Sequence, residues 1–123
     1  MSEQFKLVHV PADWDVLARQ LPQHSCFRGK PQNLALDLQM LYPYNMYIMR
    51  VSEFDAYMTF WFEAISEFAR EVKPHDDPYQ SRVYGFISER LLTMYLYQHR
   101  LEYPGLRFAE MPTINCSAKQ GVS

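Results

Sequence analysis

Cysteine is nearly absent. Cys26 and Cys116 are the 2 thiols in 123 residues, and they lie far apart in the chain. The opening MSEQFKLVHV has no basic region followed by an apolar run, so it does not read as a secretory signal. Free thiols and a cytoplasmic location are therefore the expectation. Glycine is scarce as well, with 4 residues, and no G-x-G-x-x-G, P-loop or G-x-S-x-G run occurs. Nothing in the chain is built to cradle a diphosphate. No apolar stretch approaches the roughly 20 residues that a membrane span needs. A surplus of one charge is also missing, since the formal net charge is −2. Duplex nucleic acid, which demands a basic face, is not an expected partner. The histidines His9, His24, His75 and His99 show no metal-ligand spacing. His24 and Cys26 are close, but no second close pair completes a zinc set, so no metal is expected in this chain.

What is present is a globular balance of 48% hydrophobic and 21% charged residues. A chain of this size can bury a core without staples, and residues 1–123 read as one domain. Residues 5–114 form its ordered part and residues 115–123 a frayed tail. The 9 tyrosines point to a half-wet surface, a cleft or an interface, because a buried phenol needs a polar partner.

The fold class expected is mainly α with some β. Two long amphipathic helices pack with shorter ones and with two or three short strands. Phe5 to Val10 alternates loosely and reads as a short strand. Asp13 caps a short helix to about Leu21, with Trp14, Leu17 and Leu21 at helical spacing and Pro22 as its stop. Asn33 to Leu41 is a second short helix. Tyr44 to Val51 is β-favouring and nearly all apolar, which suits a strand buried on both faces. Ser52 opens the first long helix, in a weak capping box with Asp55. Phe54, Tyr57, Met58, Trp61, Ile65, Phe68 and Val72 form its stripe. Phe60 and Phe62 fall off that stripe and suggest a second covered side. Asp77 followed by Pro78 caps the next helix, which runs to about Arg100. Val83, Phe86, Ile87, Leu91 and Met94 form its stripe. Gly85 inside it suggests close approach of a backbone or a ligand. Leu106 to Ile114 reads as a last short strand.

Three polar groups exceed what packing requires. Arg82 and Glu89 lie seven apart, two helical turns, and share a face. Glu89 flanks an apolar stripe, so it must be paired or must face a cleft. It suits a general base or a hydroxyl-binding carboxylate, and equally a structural partner for an arginine, the commoner use. Glu89 and Arg90, being adjacent, are expected to point apart. Asn45 could hold a sugar hydroxyl, or could serve as a turn amide. Asp76 and Asp77 resemble a metal pair, but capping explains Asp77 without metal.

The segments LYPYNMYIM, FDAYMTFWFEAISEFAREV and YQSRVYGFISERLLTMYL carry a resemblance. They are similar to the C-terminal part of a bacterial glycosyltransferase-like family, domain of unknown function 4422, found with capsular and exopolysaccharide genes. The family's Asn-Met-Phe-Ile-Met segment falls on Asn45 to Met49, with Tyr47 in place of Phe. Its tyrosine and Trp-Phe pair fall on Tyr57 and Trp61-Phe62. Its Arg-x-x-Gly-Phe-x-x-Glu-Arg-Leu-Leu falls on Arg82 to Leu92. VHVPADWDVL, with His9 and Asp13, matches more loosely. The resemblance covers about residues 5 to 114. It implies a GT-A-type glycosyltransferase fold, of which this chain would be the acceptor-side C-terminal half. It implies Glu89 as the catalytic base or hydroxyl ligand, and Arg82, Asn45 and His9 as substrate-binding residues. A nucleotide-sugar and a divalent metal are implied only for an intact member, since no nucleotide-binding half with its own Asp-x-Asp motif is visible here. The implied partners are a carbohydrate acceptor and the missing nucleotide-binding half. The alternative is a non-catalytic helical module that binds a partner or a second copy through Phe60 and Phe62.

Overall fold

A computed structural model describes residues 2–24, 27, 41–42 and 45–112. The regular elements are α1 (Ser2–Val8), α2 (Pro11–Gln20), α3 (Val51–Glu71) and α4 (Val83–Glu102), with 3₁₀ turns at Leu21–Gln23 and Gln80–Arg82. No strand occurs among the described residues. The mixed α+β expectation is thereby corrected, and with it the GT-A half-fold. Both thiols lie outside the described residues, as does the expected Asn33 to Leu41 helix but for Leu41 itself, which is in no regular element.

The reason is clearest at Phe5 to Val10. Helix α1 puts Phe5 and His9 four apart on one buried face, and the His9 amide donates to the Phe5 carbonyl at 2.8 Å. A strand there would need a ladder partner, which the described residues do not supply. Residues 46–50 have no regular element. Tyr47 and Met49 pack on the core, whereas Met46 and Ile48 are exposed, Ile48 to 87%. The segment is covered on one side, not two. Residues 106–112 are irregular also. Phe108 lies under the Arg100 guanidinium at 4.2 Å and against Tyr42 at 6.0 Å.

Helix α4 is the hub. Phe86, Ile87, Ser88, Arg90, Leu91, Leu92, Thr93, Met94 and Tyr95 are all buried. A helix buried around its whole girth is one that others wrap. Helix α3 packs along it through Tyr57, Phe60, Ala64 and Phe68, spaced three, four and four. The seam is rotated from the expected stripe. Phe54 is exposed, Trp61 and Ile65 are partly buried, and Phe60 belongs to the core at 2% exposure. Phe62 remains exposed at 60%, so the proposed second apolar side loses one of its two rings. Each fully buried ring contributes about 1.5–3 kcal/mol. Trp61 Nε1 donates to Ser88 Oγ at 2.9 Å, and that hydroxyl donates to the Tyr84 carbonyl at 2.7 Å. This closes the seam without an orphaned polar atom at the indole.

Helix α2 braces the pair. Arg19 pairs with Glu71, and Gln20 Nε2 reaches the Glu67 carbonyl at 3.3 Å. Proline at its first position and Val10 before it start α2, so Asp13 is not a cap. Asp13 instead meets His75 Nε2 at 2.6 Å, tying α2 to the linker. Nor does Ser52 cap α3, which starts one residue earlier without a side-chain cap. Asp77 does not cap α4 either, which starts at Val83 without a side-chain cap; its Oδ1 accepts from the Tyr79 and Gln80 amides at 3.0 and 2.8 Å and so closes the turn before the 3₁₀ segment.

Candidate functional site

Phe86 is the centre of the site. Positions 82, 86 and 89 step by four and three along the start of α4, so they share one edge. The Arg82 guanidinium lies over the Phe86 ring at 5.8 Å, inside cation–π range. His9, carried on the exit of α1, stacks on the same ring at 3.9 Å with planes 24° apart. Tyr79 leans on it at 5.0 Å and is itself half exposed. Asn45 approaches the turn beside it, its Nδ2 lying 3.5 Å from the Gly85 carbonyl, at the outer limit of a hydrogen bond. Asn45 has a φ of 52°, a left-handed backbone that asparagine tolerates better than most residues. The four residues expected from sequence therefore gather about Phe86 and its flanking turns.

Glu89 is partly buried, with its Oε2 3.4 Å from Arg90 Nη1. Adjacent residues were expected to point apart, and they do not. Arg90 is the residue that sequence reasoning missed. It is 1% exposed, donates to the Phe86 carbonyl at 3.0 Å and sits 5.1 Å from the Phe5 ring centre. A signal existed: Arg90 lies four after Phe86 and directly before Leu91, within the apolar stripe of the helix, and a buried cation must find acceptors. Among the described residues Arg82 makes no ion pair, so Glu89 is held by Arg90.

His9 is 8% exposed, and its Nδ1 has no hydrogen-bond partner among the described residues. Burial lowers its pKa, and the nearby Arg90 charge lowers it further; a hydrogen bond with Gln80 and the charge of Asp13 work the other way. A neutral imidazole between aromatic faces is the consequence. Gly85 faces open space, with nothing within 4 Å of where a Cβ would stand. The close approach expected there does not occur. The edge thus offers an exposed guanidinium, an exposed amide, a half-exposed phenol and a carboxylate held by its neighbour. It can bind hydroxyl groups. Among the described residues no three of His, Cys, Asp and Glu converge on a point that could hold a metal ion. No described helix is long and apolar enough to cross a membrane.

The family model described as a domain of unknown function (DUF4422) matches residues 1–100. The chain belongs to that family. The match takes in α1, α2, α3 and most of α4, and so includes His9, Asn45, Arg82, Glu89 and Arg90. No curated protein and no solved structure matches the chain.

Proposed function

We propose that these helices handle the acceptor in a glycosyl transfer of capsular or exopolysaccharide synthesis, with the Phe86 edge as the acceptor-binding surface. The donor nucleotide-sugar, and any metal it brings, would be bound by sequence outside this edge. The observation that carries the reading is the stretch of helix on which Arg82 and His9 meet the Phe86 ring, Asn45 meets the neighbouring Gly85 carbonyl and Glu89 follows one turn on, held by Arg90. Sugars are recognised by such mixtures, in which hydroxyls need directed acceptors and donors while their C–H faces lie on rings. The resemblance of Arg82 to Leu92 to a glycosyltransferase-like segment supports it independently.

Each residue has a role in that reading. Asn45 and Arg82 donate to acceptor hydroxyls from the exposed side. Tyr79 supplies the accessible face beside Phe86. Glu89 accepts from the attacking hydroxyl and takes its proton as the oxygen bonds to the donor's anomeric carbon and the bond from that carbon to the nucleotide diphosphate breaks, the diphosphate leaving with the electron pair. Arg90 fixes the carboxylate from below. His9 fills the floor as a neutral ring and is a positioning residue.

The test is saturation-transfer NMR of the full chain with oligosaccharide repeat units of surface polysaccharides. Transfer to the sugar is expected, with affinity falling at least about tenfold, the equivalent of 1.4 kcal/mol, in Arg82→Ala and Glu89→Ala. Circular dichroism would check that both variants still fold. Oligosaccharides that receive no saturation, or that bind folded variants equally well, would overturn the proposal.

A further inference from the structure

The opposite end of α4 opens on a cavity of about 610 Å³ that no part of the argument above uses. Its walls are the first turn of α3, with Ser52, Glu53 and Ala56, and the end of α4 with the turn beyond it, from His99 to Leu106. Into this space project a histidine and a carboxylate from different helices. His99 Nε2 lies 2.7 Å from Glu53 Oε2, and the two are 46 residues apart in sequence. Both side chains retain partial exposure.

The imidazole is held on three sides. Tyr95 stacks on it at 5.4 Å with planes 13° apart, and Tyr103 packs at 4.8 Å on the way out of the helix. Glu53 holds Nε2 and so orients the ring. A neutral ring that donates Nε2–H to the carboxylate keeps Nδ1 as its proton acceptor. The cleft's two walls are chemically unlike. The start of α3 has no side-chain cap, and with Ser52 Oγ it offers donors. Glu53 and Glu102 offer acceptors, Glu102 Oε1 already receiving Gln98 Nε2 at 3.1 Å. A carboxylate at the start of α3 repels anions, and the donor wall does not suit a bare cation. The ligand chemistry that meets both walls is the hydroxyl group, which donates and accepts.

We propose that this cleft is a second small-molecule site, taking a compact polyhydroxylated ligand, with the His99–Glu53 pair accepting a hydrogen bond from one of its hydroxyl groups. The site is independent of the Phe86 edge, with which it shares only the helix. Gly105 lines it with nothing within 4 Å of a would-be Cβ, and Ala56 is exposed within it. The mouth can therefore be filled from either side without touching the core.

The experiment follows the His99 ring and the Ser52 and Gly105 amides by NMR while the full chain is titrated. The probes are glycerol, methyl glucoside, methylammonium and acetate. Shifts at those positions with the two hydroxylated probes, absent with the two ions, are expected. Ala56→Phe and Gly105→Leu should abolish the shifts, and Glu89→Gln should leave them in place. Glu53→Gln should weaken the response severalfold, since it removes the carboxylate that orients the ring. Silence of those signals with glycerol and methyl glucoside overturns the proposal. So do equal shifts with methylammonium or acetate, and shifts that survive Ala56→Phe in a folded protein. Loss of the shifts in Glu89→Gln would merge the two sites and overturn their independence.

Discussion

The two ends of α4 each hold a histidine, and they hold it in opposite ways. His9 lies against Phe86 near the start of the helix, shut in by aromatic rings beside a buried guanidinium. His99 lies near the end, joined to Glu53 and opening on a cavity. At the first end burial decides the ring's state and proton uptake opposes folding. At the second a carboxylate orients the ring. The same side chain is thus part of the floor at one end and part of a working surface at the other. Between them runs the α3–α4 seam, on which both depend.

Breaking the seam should erase the difference between the ends. Phe60 and Phe68 are almost fully buried where α3 meets α4. Phe60→Ala or Phe68→Ala should cost about 3–5 kcal/mol, the usual price of emptying an aromatic core position. Urea unfolding followed by circular dichroism measures it. A loss below about 1 kcal/mol would mean that the seam relaxes to fill the void, contrary to its close packing.

Arg90 distinguishes the ends next. Its guanidinium touches Phe5, the Phe86 carbonyl and Glu89. Arg90→Ala should cost about 2–4 kcal/mol, because it removes packing and leaves Glu89 without its cation. It should also let the His9 pKa rise, since the Arg90 charge is one cause of its lowering. His99 should be unaffected. Histidine titration by NMR in wild type and variant reads both rings at once, and an unmoved His9 would sever the coupling.

A pH series separates the histidines without mutating the core. The pKa of His9 is lowered in the folded protein. The unfolded chain, with an ordinary value near 6.5, therefore binds more protons as the pH falls. Stability from this group is fully present above about 6.5 and is lost as the pH drops from there toward the lowered folded value. The charged and polar groups facing His9 are Asp13, Arg90, Gln80 and Tyr79. His9→Phe keeps an aromatic filler and should flatten the slope below about pH 6.5. Equal slopes in wild type and variant would place the pH dependence elsewhere.

How much of this was readable beforehand differs by element. The α4 stripe was legible, since it depends on local spacing, whereas the cap expected at Asp77 closes a turn ahead of the 3₁₀ segment instead. The strands were not. Phe5 to Val10 and Tyr47 to Val51 have β-favouring residues, but a strand exists only when another chain segment completes its ladder, and composition cannot say whether one does. The four site residues were named by resemblance and by surplus polarity. Arg90 was overlooked because adjacency was taken to separate it from Glu89, whereas a long side chain can fold back within one turn. The His99–Glu53 pair spans 46 residues, and no local pattern encodes such a meeting.

Gly85 gives the smallest and sharpest contrast. It lies on the Phe86 edge with open space above it, and its carbonyl meets the Asn45 amide. If the glycine were there only by tolerance, Gly85→Ala would be a plain helix improvement, stabilising by about 0.5–1 kcal/mol. That gain is expected in unfolding measurements, since a methyl group would meet no atom. The proposed acceptor surface adds a second demand. A ligand seated between Asn45 and Arg82 passes over this position, so the same methyl should weaken oligosaccharide binding while it strengthens the fold. Opposite signs in the two measurements would identify Gly85 as a clearance kept open for a ligand. A gain in stability with unchanged binding would move the acceptor off this edge, and the His99 cleft would become the stronger candidate for a sugar among the described residues.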